Sequence, residues 1–283
     1  MSEVTLDYYT DATAQSNALL SGDIDMIAGL SQLQLVGQFE SDDAYQVLEG
    51  TGTGEATLSM NNRSAAFSDV RVRQAVMYAV DRQAVIDTVN SGFGTLIGTM
   101  VPPTDPWYDE SLADLYPFDP DRAEDLLAEA GVSGLEVAFK VPNLPYAVAG
   151  AQVVKDQLAQ VGITANVTTL EFPAVWLEEV FQKHDYDMSL ISHSEPRDVT
   201  LFAQPTYYPG YDNPEVIAKF AQADAADEET YVQLMREATT QMAEDAAADW
   251  LYLTPWVTVA GADLTGIPAN APSLSLDVTT IGR

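Results

Sequence analysis

The sequence contains no cysteine and only two histidines among its 283 residues. Without cysteine the chain forms no disulfide and offers no thiolate to a nucleophilic enzyme, an iron–sulfur cluster or a cysteine zinc site. The two histidines, His184 and His193, are too far apart to match the H-E-x-x-H helix of metalloproteases. These absences disfavour thiol enzymes and the commonest metal hydrolases.

Basic residues are scarce as well. Lysine and arginine total 12 against 43 acidic residues, which gives a formal net charge of -31. Such a charge repels phosphate backbones and anionic membranes, so we expect no nucleic-acid partner. The sequence also lacks an apolar run of about 18 residues, and its first residues, MSEVTLDYYTD, have neither a basic nor an apolar segment. We therefore expect no transmembrane helix and no signal segment within this sequence.

Sequence motifs of common enzymes are missing too. The chain has no G-x-x-x-x-G-K-[ST] phosphate loop and no G-x-S-x-G nucleophile elbow. The alternating glycines of GTGTGEA, residues 50–56, lie between two predicted strands without a following helix. This position favours a hairpin or flexible turn over a dinucleotide site. We expect no cofactor and assign no catalytic or metal-binding residue.

Strand and helix patterns alternate along much of the sequence. Strands are predicted at EVTLDYY, IDMIAGL, AYQVLEG and EATLSMN, and a helix is predicted to begin at Thr10 or Asp11 and end near Gly22. Two helices are predicted between Ser68 and Gly92, and Asp81 is predicted to cap the second, which ends near Gly92. From Leu135 onwards strands alternate with helices. The pattern indicates an α/β protein.

Several segments form distinctive sequence motifs. The most specific is LSMNNRSAAFSDVRVRQAVMYAVDRQAVI, residues 58–86. The others are ALLSGDIDMIAGL, FDPDRAEDLLAEAG, QLAQVGITANVTTLE, YDMSL and YDNPEV. In this order the motifs resemble the extracytoplasmic solute-binding proteins of the peptide/nickel family (family 5), which serve ABC importers. The resemblance covers nearly the whole chain, but members of the family are far longer.

This resemblance implies an α/β, two-lobed type II periplasmic-binding-protein-like fold, with lobe one truncated at its N-terminus. Residues 1–60 are expected to form the later part of lobe one and residues 61–250 lobe two. Residues 251–283 are expected to return to lobe one and form a C-terminal tail. The lobes of such proteins close on a ligand around a hinge, expected near residues 58–63 and 250–258.

The segment SHSEPRD follows the predicted YDMSL strand, where family members enter the ligand cleft. The family often has W-x-A-D there, with an aspartate that pairs with a ligand ammonium group, and this motif is not matched. His193, Glu195, Arg197 and Asp198 stand in its place. Arg197 suits a carboxylate and the acids suit an ammonium group, but Arg197 is equally expected to pair with Glu195 or Asp198.

Tyr207, Tyr208 and Asn61 complete the predicted ligand-binding residues. The tyrosines offer flat walls with polar tips. Asn61 is placed at the cleft entrance by the resemblance, although capping of the turn before Ser68 is an equal alternative. Arg71 and Arg73 are assigned to structure, with one of them expected to pair with Asp69 or Asp81.

The predicted function is that of a receptor, not an enzyme. It captures a small solute, with an oligopeptide or dipeptide favoured, and delivers it to membrane permease subunits of an ABC importer. The protein is expected to be a monomer and extracytoplasmic, in the periplasm or at the cell surface, with a lipid anchor in the full-length form. The alternatives are a metal-dependent hydrolase that uses His193 and nearby carboxylates, or a folded lobe without binding of its own.

Overall fold

A computed structural model describes residues 3–195, 197–271 and 276–283. The chain forms two compact units. The first unit holds the residues up to 53, residues 90–95 and the residues from 253 on, and the second holds residues 54–89 and 96–252. Two long strands, β2 (Tyr45–Met60) and β6 (Asp249–Gly261), have residues in both units. The predicted domain limits at residues 60 and 250 stay a prediction.

In the first unit, helix α1 (Ala12–Ser21) has the ends that the sequence predicts. Asp11 accepts a hydrogen bond from the Ala14 amide at 2.7 Å, and Gly22 ends the helix in the left-handed region at φ 79°. Strand β1 (Met26–Ile27) pairs antiparallel with β6. A 3-10 turn (Leu33–Leu35) and a short helix α2 (Gly37–Glu40) follow.

The predicted strand EVTLDYY is wrong. Residues 3–9 have no regular secondary structure and expose Val4, Leu6 and Tyr8. Its apolar pattern suits a strand, but among the described residues no neighbouring strand pairs with it. A strand needs such pairing to satisfy its backbone groups.

The predicted turn at GTGTGEA is also wrong, because β2 runs without a break through these glycines. Their role is close approach. A Cβ atom on Gly50 would lie 1.8 Å from the Ala269 carbonyl oxygen, and one on Gly52 would lie 3.3 Å from the Thr254 carbonyl oxygen. Glycine is therefore needed where another backbone crosses this strand.

The helices after β2 largely follow the sequence prediction. Aspartates begin several of them: Asp69 bonds the Arg71 amide at the start of α3, and Asp81 bonds the Ala84 amide in α4. The short helix α7 continues into a π-helical turn (Leu177–Gln182). The helices are α3 (Val70–Ala79), α4 (Arg82–Asn90), α5 (Pro120–Glu129), α6 (Pro145–Gln160), α7 (Ala174–Trp176), α8 (Val199–Phe202), α9 (Pro214–Ala223) and α10 (Glu228–Glu244).

The sheet of the second unit has the strand order β2-β5-β3-β4. Strands β3 (Leu135–Pro142) and β4 (Ile163–Leu170) are parallel, and β5 (Met188–His193) is antiparallel to β2. The apolar core around the sheet includes Leu58, Val76, Phe139, Leu158 and Leu190. In the β2–β5 ladder Glu55 pairs with His193 and Met60 with Met188. His193 therefore lies at one end of the β2–β5 ladder, and Asn61, which follows Met60, lies at the other end.

Candidate functional site

The carboxyl end of β5 places His193 directly opposite Glu55 of β2. Side chains of directly opposed residues in an antiparallel pair lie on the same face of the sheet, with Cβ atoms about 5 Å apart. Both side chains are buried: His193 is 7% exposed and Glu55 is 4% exposed. An acid and an imidazole therefore share a largely dry position.

Two further acids join them in the segment that connects β5 to α8. Glu195 is exposed, and its Oε2 lies 4.0 Å from His193 Nδ1. Asp198, at the start of α8, is only 3% exposed. One ligand atom each from His193, Glu195 and Asp198 lies within 4.8 Å of the others. The structure thus brings together three of the residues that the sequence singled out.

Two carboxyl oxygens of this cluster are buried without a hydrogen-bond partner: Glu55 Oε2 and Asp198 Oδ2. A buried polar atom left unpaired costs about 1 to 3 kcal/mol, and more when it carries charge. Burial, with a further contribution from the charge of Asp198, raises the pKa of Glu55 to about 9. Burial, with the charge of Glu195, raises the pKa of Asp198 to about 7. The cluster therefore favours a cationic or proton-donating partner.

The imidazole of His193 has a defined partner on its other side. Its Nε2 lies 2.9 Å from the Tyr208 hydroxyl oxygen, which lies 2.6 Å from Ser59 Oγ. When Tyr208 donates to Ser59, Nε2–H donates to Tyr208, and Nδ1 carries its lone pair towards Glu195. Burial lowers the pKa of His193 to about 4, which keeps the ring neutral near pH 7.

Tyr207 and Tyr208 differ in burial. Tyr208 is 1% exposed and contacts the rings of Trp176, Phe181 and Phe202. Tyr207 is half-buried and packs edge-on against Tyr208. Tyr208 thus holds His193 from within the core, whereas Tyr207 keeps some surface for a ligand. Their predicted ligand contact stays a prediction.

Of the two alternatives for Arg197, the pairing with Glu195 or Asp198 is wrong, and the predicted contact with a ligand carboxylate stays a prediction. Arg197 Nη2 donates to Asp224 Oδ1 at 2.7 Å, and its guanidinium lies 5.6 Å from the ring centroid of Tyr231. Asp224 directly follows α9, and Tyr231 belongs to α10, so the tertiary fold supplies both partners. Arg197 faces these helices, while the acids face His193.

Asn61 follows Met60, so it lies at one end of the β2–β5 ladder and His193 lies at the other end. Its side-chain amide donates to the Tyr186 carbonyl at 3.0 Å, and its Oδ1 accepts from the Arg63 amide at 3.2 Å. Asn61 also lines a surface pocket of about 430 Å³ with Arg63, His184 and Asp187. The contact with the Arg63 amide is of the kind that the turn-capping alternative predicts, whereas the contact with Tyr186 joins a distant segment. The predicted ligand contact of Asn61 stays a prediction.

The structural assignment of Arg71 and Arg73 agrees with their contacts. Arg71 pairs with Asp69 at 2.6 Å, as predicted for one of them. Arg73 is buried and donates to the carbonyl oxygens of Phe67, Asp245 and Ala246. It also donates to the Ser68 carbonyl at 3.5 Å. These backbone partners come from two distant segments, which Arg73 joins through carbonyl oxygens.

Sequence reasoning missed Glu55. Its only signal was position, as the single acid at the start of the strand EATLSMN, whose next five residues are all buried. Because the turn predicted at GTGTGEA includes Glu55, the sequence prediction did not place this acid in the buried part of the strand. Sequence reasoning also missed Asp105, whose own pKa is raised by burial and whose charge helps to raise the pKa of Glu55.

Comparison with known proteins gives this site a context. Residues 1–214 match the family model "Bacterial extracellular solute-binding proteins, family 5 Middle". Heme-binding protein A of Haemophilus influenzae is 33% identical over 178 residues, which are 61% of this chain and 32% of that protein. The dipeptide-binding protein of Escherichia coli is 32% identical over 146 residues, which are 48% of this chain and 26% of that protein. The matched part of the chain therefore covers about a quarter to a third of the length of these relatives.

Solved structures share the fold. HbpA2 of Haemophilus parasuis superimposes with a TM-score of 0.86 at 21% identity, over 97% of this chain and 56% of that chain. The predicted α/β class and type II periplasmic-binding-protein-like fold are confirmed. So is the prediction of a binding-protein family instead of an enzyme family. The chain belongs to family 5 of the bacterial extracellular solute-binding proteins.

Proposed function

We propose that this chain is part of an extracytoplasmic receptor that captures a small solute, a dipeptide or oligopeptide, and delivers it to the permease subunits of an ABC importer. The family membership and the peptide-binding relatives support this proposal. The assignment of residues 61–250 to lobe two, of the flanking segments to lobe one, a monomeric state and a lipid anchor on the whole protein belong to the same proposal.

One observation carries the proposal to a particular place in the chain. Glu55 and Asp198 are buried acids with an unpaired oxygen each, and the half-buried ring of Tyr207 lies 6.5 Å from the ring of His193, centroid to centroid, in the same cluster. The ammonium group of a peptide N-terminus supplies positive charge and three hydrogen-bond donors. Such a group would pair with these oxygens and recover the free energy lost by their burial.

The exposed Glu195 extends the same acidic surface outward, since its side chain is 66% exposed. Tyr207 offers an aromatic face with a polar tip beside it. Arg197 is engaged by Asp224, so a ligand carboxylate must find its partner elsewhere. We therefore propose Glu55, Asp198 and Glu195 as the recognition residues for the cationic end of the solute, and leave Arg197 out.

The test is a thermal unfolding screen of the chain against pooled dipeptides and tripeptides, with N-acetylated peptides of the same sequences as matched ligands. A ligand at a hundred times its dissociation constant adds about 2.7 kcal/mol of stability. Free peptides should stabilise the chain and acetylated ones should not. Asp198→Asn should weaken the effect, whereas Asp212→Asn, at an exposed aspartate, should retain it.

Two results would contradict the proposal. Stabilisation by acetylated and free peptides alike would remove the acids from recognition. No stabilisation by any peptide would favour the alternative of a folded lobe without binding of its own. The hydrolase alternative requires turnover, and incubation of the peptide pools with the chain, followed by mass spectrometry, would reveal any cleavage.

A further inference from the structure

We propose that His193 Nδ1 and the carboxylates of Glu195 and Asp198 bind one divalent transition-metal ion, such as Zn²⁺ or Ni²⁺, at the carboxyl end of β5. This inference rests on the proposed function and deepens it. The ion would take the place of the ammonium group at these acids and present its remaining coordination positions to the solute. The terminal amino group of the peptide would release its ammonium proton to solvent and bind the metal through the freed lone pair, together with the first carbonyl oxygen.

The distances suit a metal with small side-chain movements. One ligand atom from each of the three residues lies within 4.8 Å of the others. Ligand atoms around a zinc ion at 2.0–2.2 Å lie roughly 3 to 3.5 Å apart. Glu195 can supply the contraction, because its side chain is 66% exposed and only its Oε2, which accepts from the Ser194 amide at 3.1 Å, has to exchange that contact. His193 and Asp198 are held by their burial.

Unpaired buried oxygens distinguish this cluster from the many exposed acids of the chain. Asp198 is only 3% exposed, and its buried Oδ2 has no hydrogen-bond partner. Glu55, opposite His193 in the ladder, adds a second unpaired oxygen from the same face of the sheet. Buried carboxylates of this kind are stabilised by a cation in direct contact.

The far side of the imidazole supports the same reading. A histidine that binds a metal through one nitrogen usually donates its other N–H to an oxygen, which fixes the ring orientation. Here Nε2 lies 2.9 Å from the Tyr208 hydroxyl, and that hydroxyl lies 2.6 Å from Ser59 Oγ. Tyr208 is itself packed among aromatic rings, so the orientation of His193 is set before any ion binds.

The ligand types select the class of ion. Imidazole nitrogen favours zinc, nickel, copper or iron over calcium and magnesium, which prefer oxygen ligands alone. Three protein ligands leave at least one coordination position open. A metal site that holds a solute needs such an open position.

The experiment is a calorimetric titration of the 283-residue chain with Zn²⁺, after metal removal, in high salt and excess Mg²⁺ to occupy surface carboxylates. We expect one ion per chain. Glu195→Gln and His193→Gln should each weaken the affinity by at least about tenfold. His184→Gln and Glu171→Gln, which remove the other histidine and an exposed glutamate, should bind Zn²⁺ like the original chain.

Binding without a defined stoichiometry, or equal binding by all four variants, would overturn the metal site. Glu195 is exposed, so its variant keeps the test decisive if His193→Gln fails to fold. Peptide stabilisation that persists in EDTA, together with absent Zn²⁺ binding, overturns the metal and leaves the receptor standing. Stoichiometric Zn²⁺ binding without stabilisation by any solute supports the metal site and counts against the receptor.

Discussion

Arg197 and Asp224 form an ion pair, with 2.7 Å between Nη2 and Oδ1, across 27 positions of the sequence. The pair joins the segment after β5 to the end of α9. It also takes the only arginine of SHSEPRD away from its acidic neighbours. The negative charge of Glu195 and Asp198 is therefore left for another cation.

Arg197→Ala should have little effect on stability or on solute binding. The two side chains are 43% and 58% exposed, and such surface pairs contribute at most about 1 kcal/mol. Urea unfolding and the peptide thermal-shift screen measure the two effects. Asp224→Asn is the matched control and should behave alike. Loss of peptide stabilisation in Arg197→Ala alone would show that the arginine contacts the solute.

Tyr208→Phe should destabilise the second unit by about 1 to 3 kcal/mol, because it leaves the buried Ser59 hydroxyl and His193 Nε2 without their shared partner. The free energy of unfolding from urea titration is the measurement. Tyr207→Phe, at the half-buried neighbour, should change it by less than about 0.5 kcal/mol. Equal effects of the two substitutions would mean that the hydroxyl network contributes no stability.

Glu55 should make the chain less stable as the pH rises. Its pKa is about 9 in the folded chain, raised from 4.5 by burial, so between these values the folded state binds one proton more than the unfolded state. Stability therefore falls with pH, by up to about 1.4 kcal/mol per pH unit from this group. Glu55→Gln removes this contribution.

The measurement is the free energy of unfolding from pH 5 to 8 in EDTA. The difference between the original chain and Glu55→Gln should grow steadily in favour of the variant. A control, Glu171→Gln, changes an exposed acid and should give a constant difference. Parallel curves for the original chain and Glu55→Gln would mean that Glu55 titrates normally.

Salt should stabilise this chain strongly. A net charge of -31 on 283 residues makes the compact state repel itself. The screening length falls from about 10 Å at 0.1 M to about 3 Å at 1 M salt, which weakens that repulsion. The melting temperature should rise with NaCl over this range, and more than in sucrose of matched osmolality. A salt effect no larger than the sucrose effect would contradict the electrostatic origin.

Local chemistry determined much of this protein from sequence alone. Aspartates at positions 11, 69 and 81 accept amide hydrogen bonds at the starts of their helices, and Gly22 ends α1 with a positive φ. These interactions join residues within a few positions of one another, so a short segment of sequence contains both partners and predicts the contact. The alternation of strands and helices after Leu135 gave the α/β class for the same reason.

Tertiary structure alone decided what depends on distant partners. Gly50 occupies a continuous strand because the backbone at Ala269 passes beside it, and no local pattern reveals that approach. Arg197 pairs with Asp224 just after α9, and Asn61 lies at the end of the β2–β5 ladder away from His193. Glu55 became part of the candidate site only through strand register, since pairing across β2 and β5 determines which buried side chains share a face.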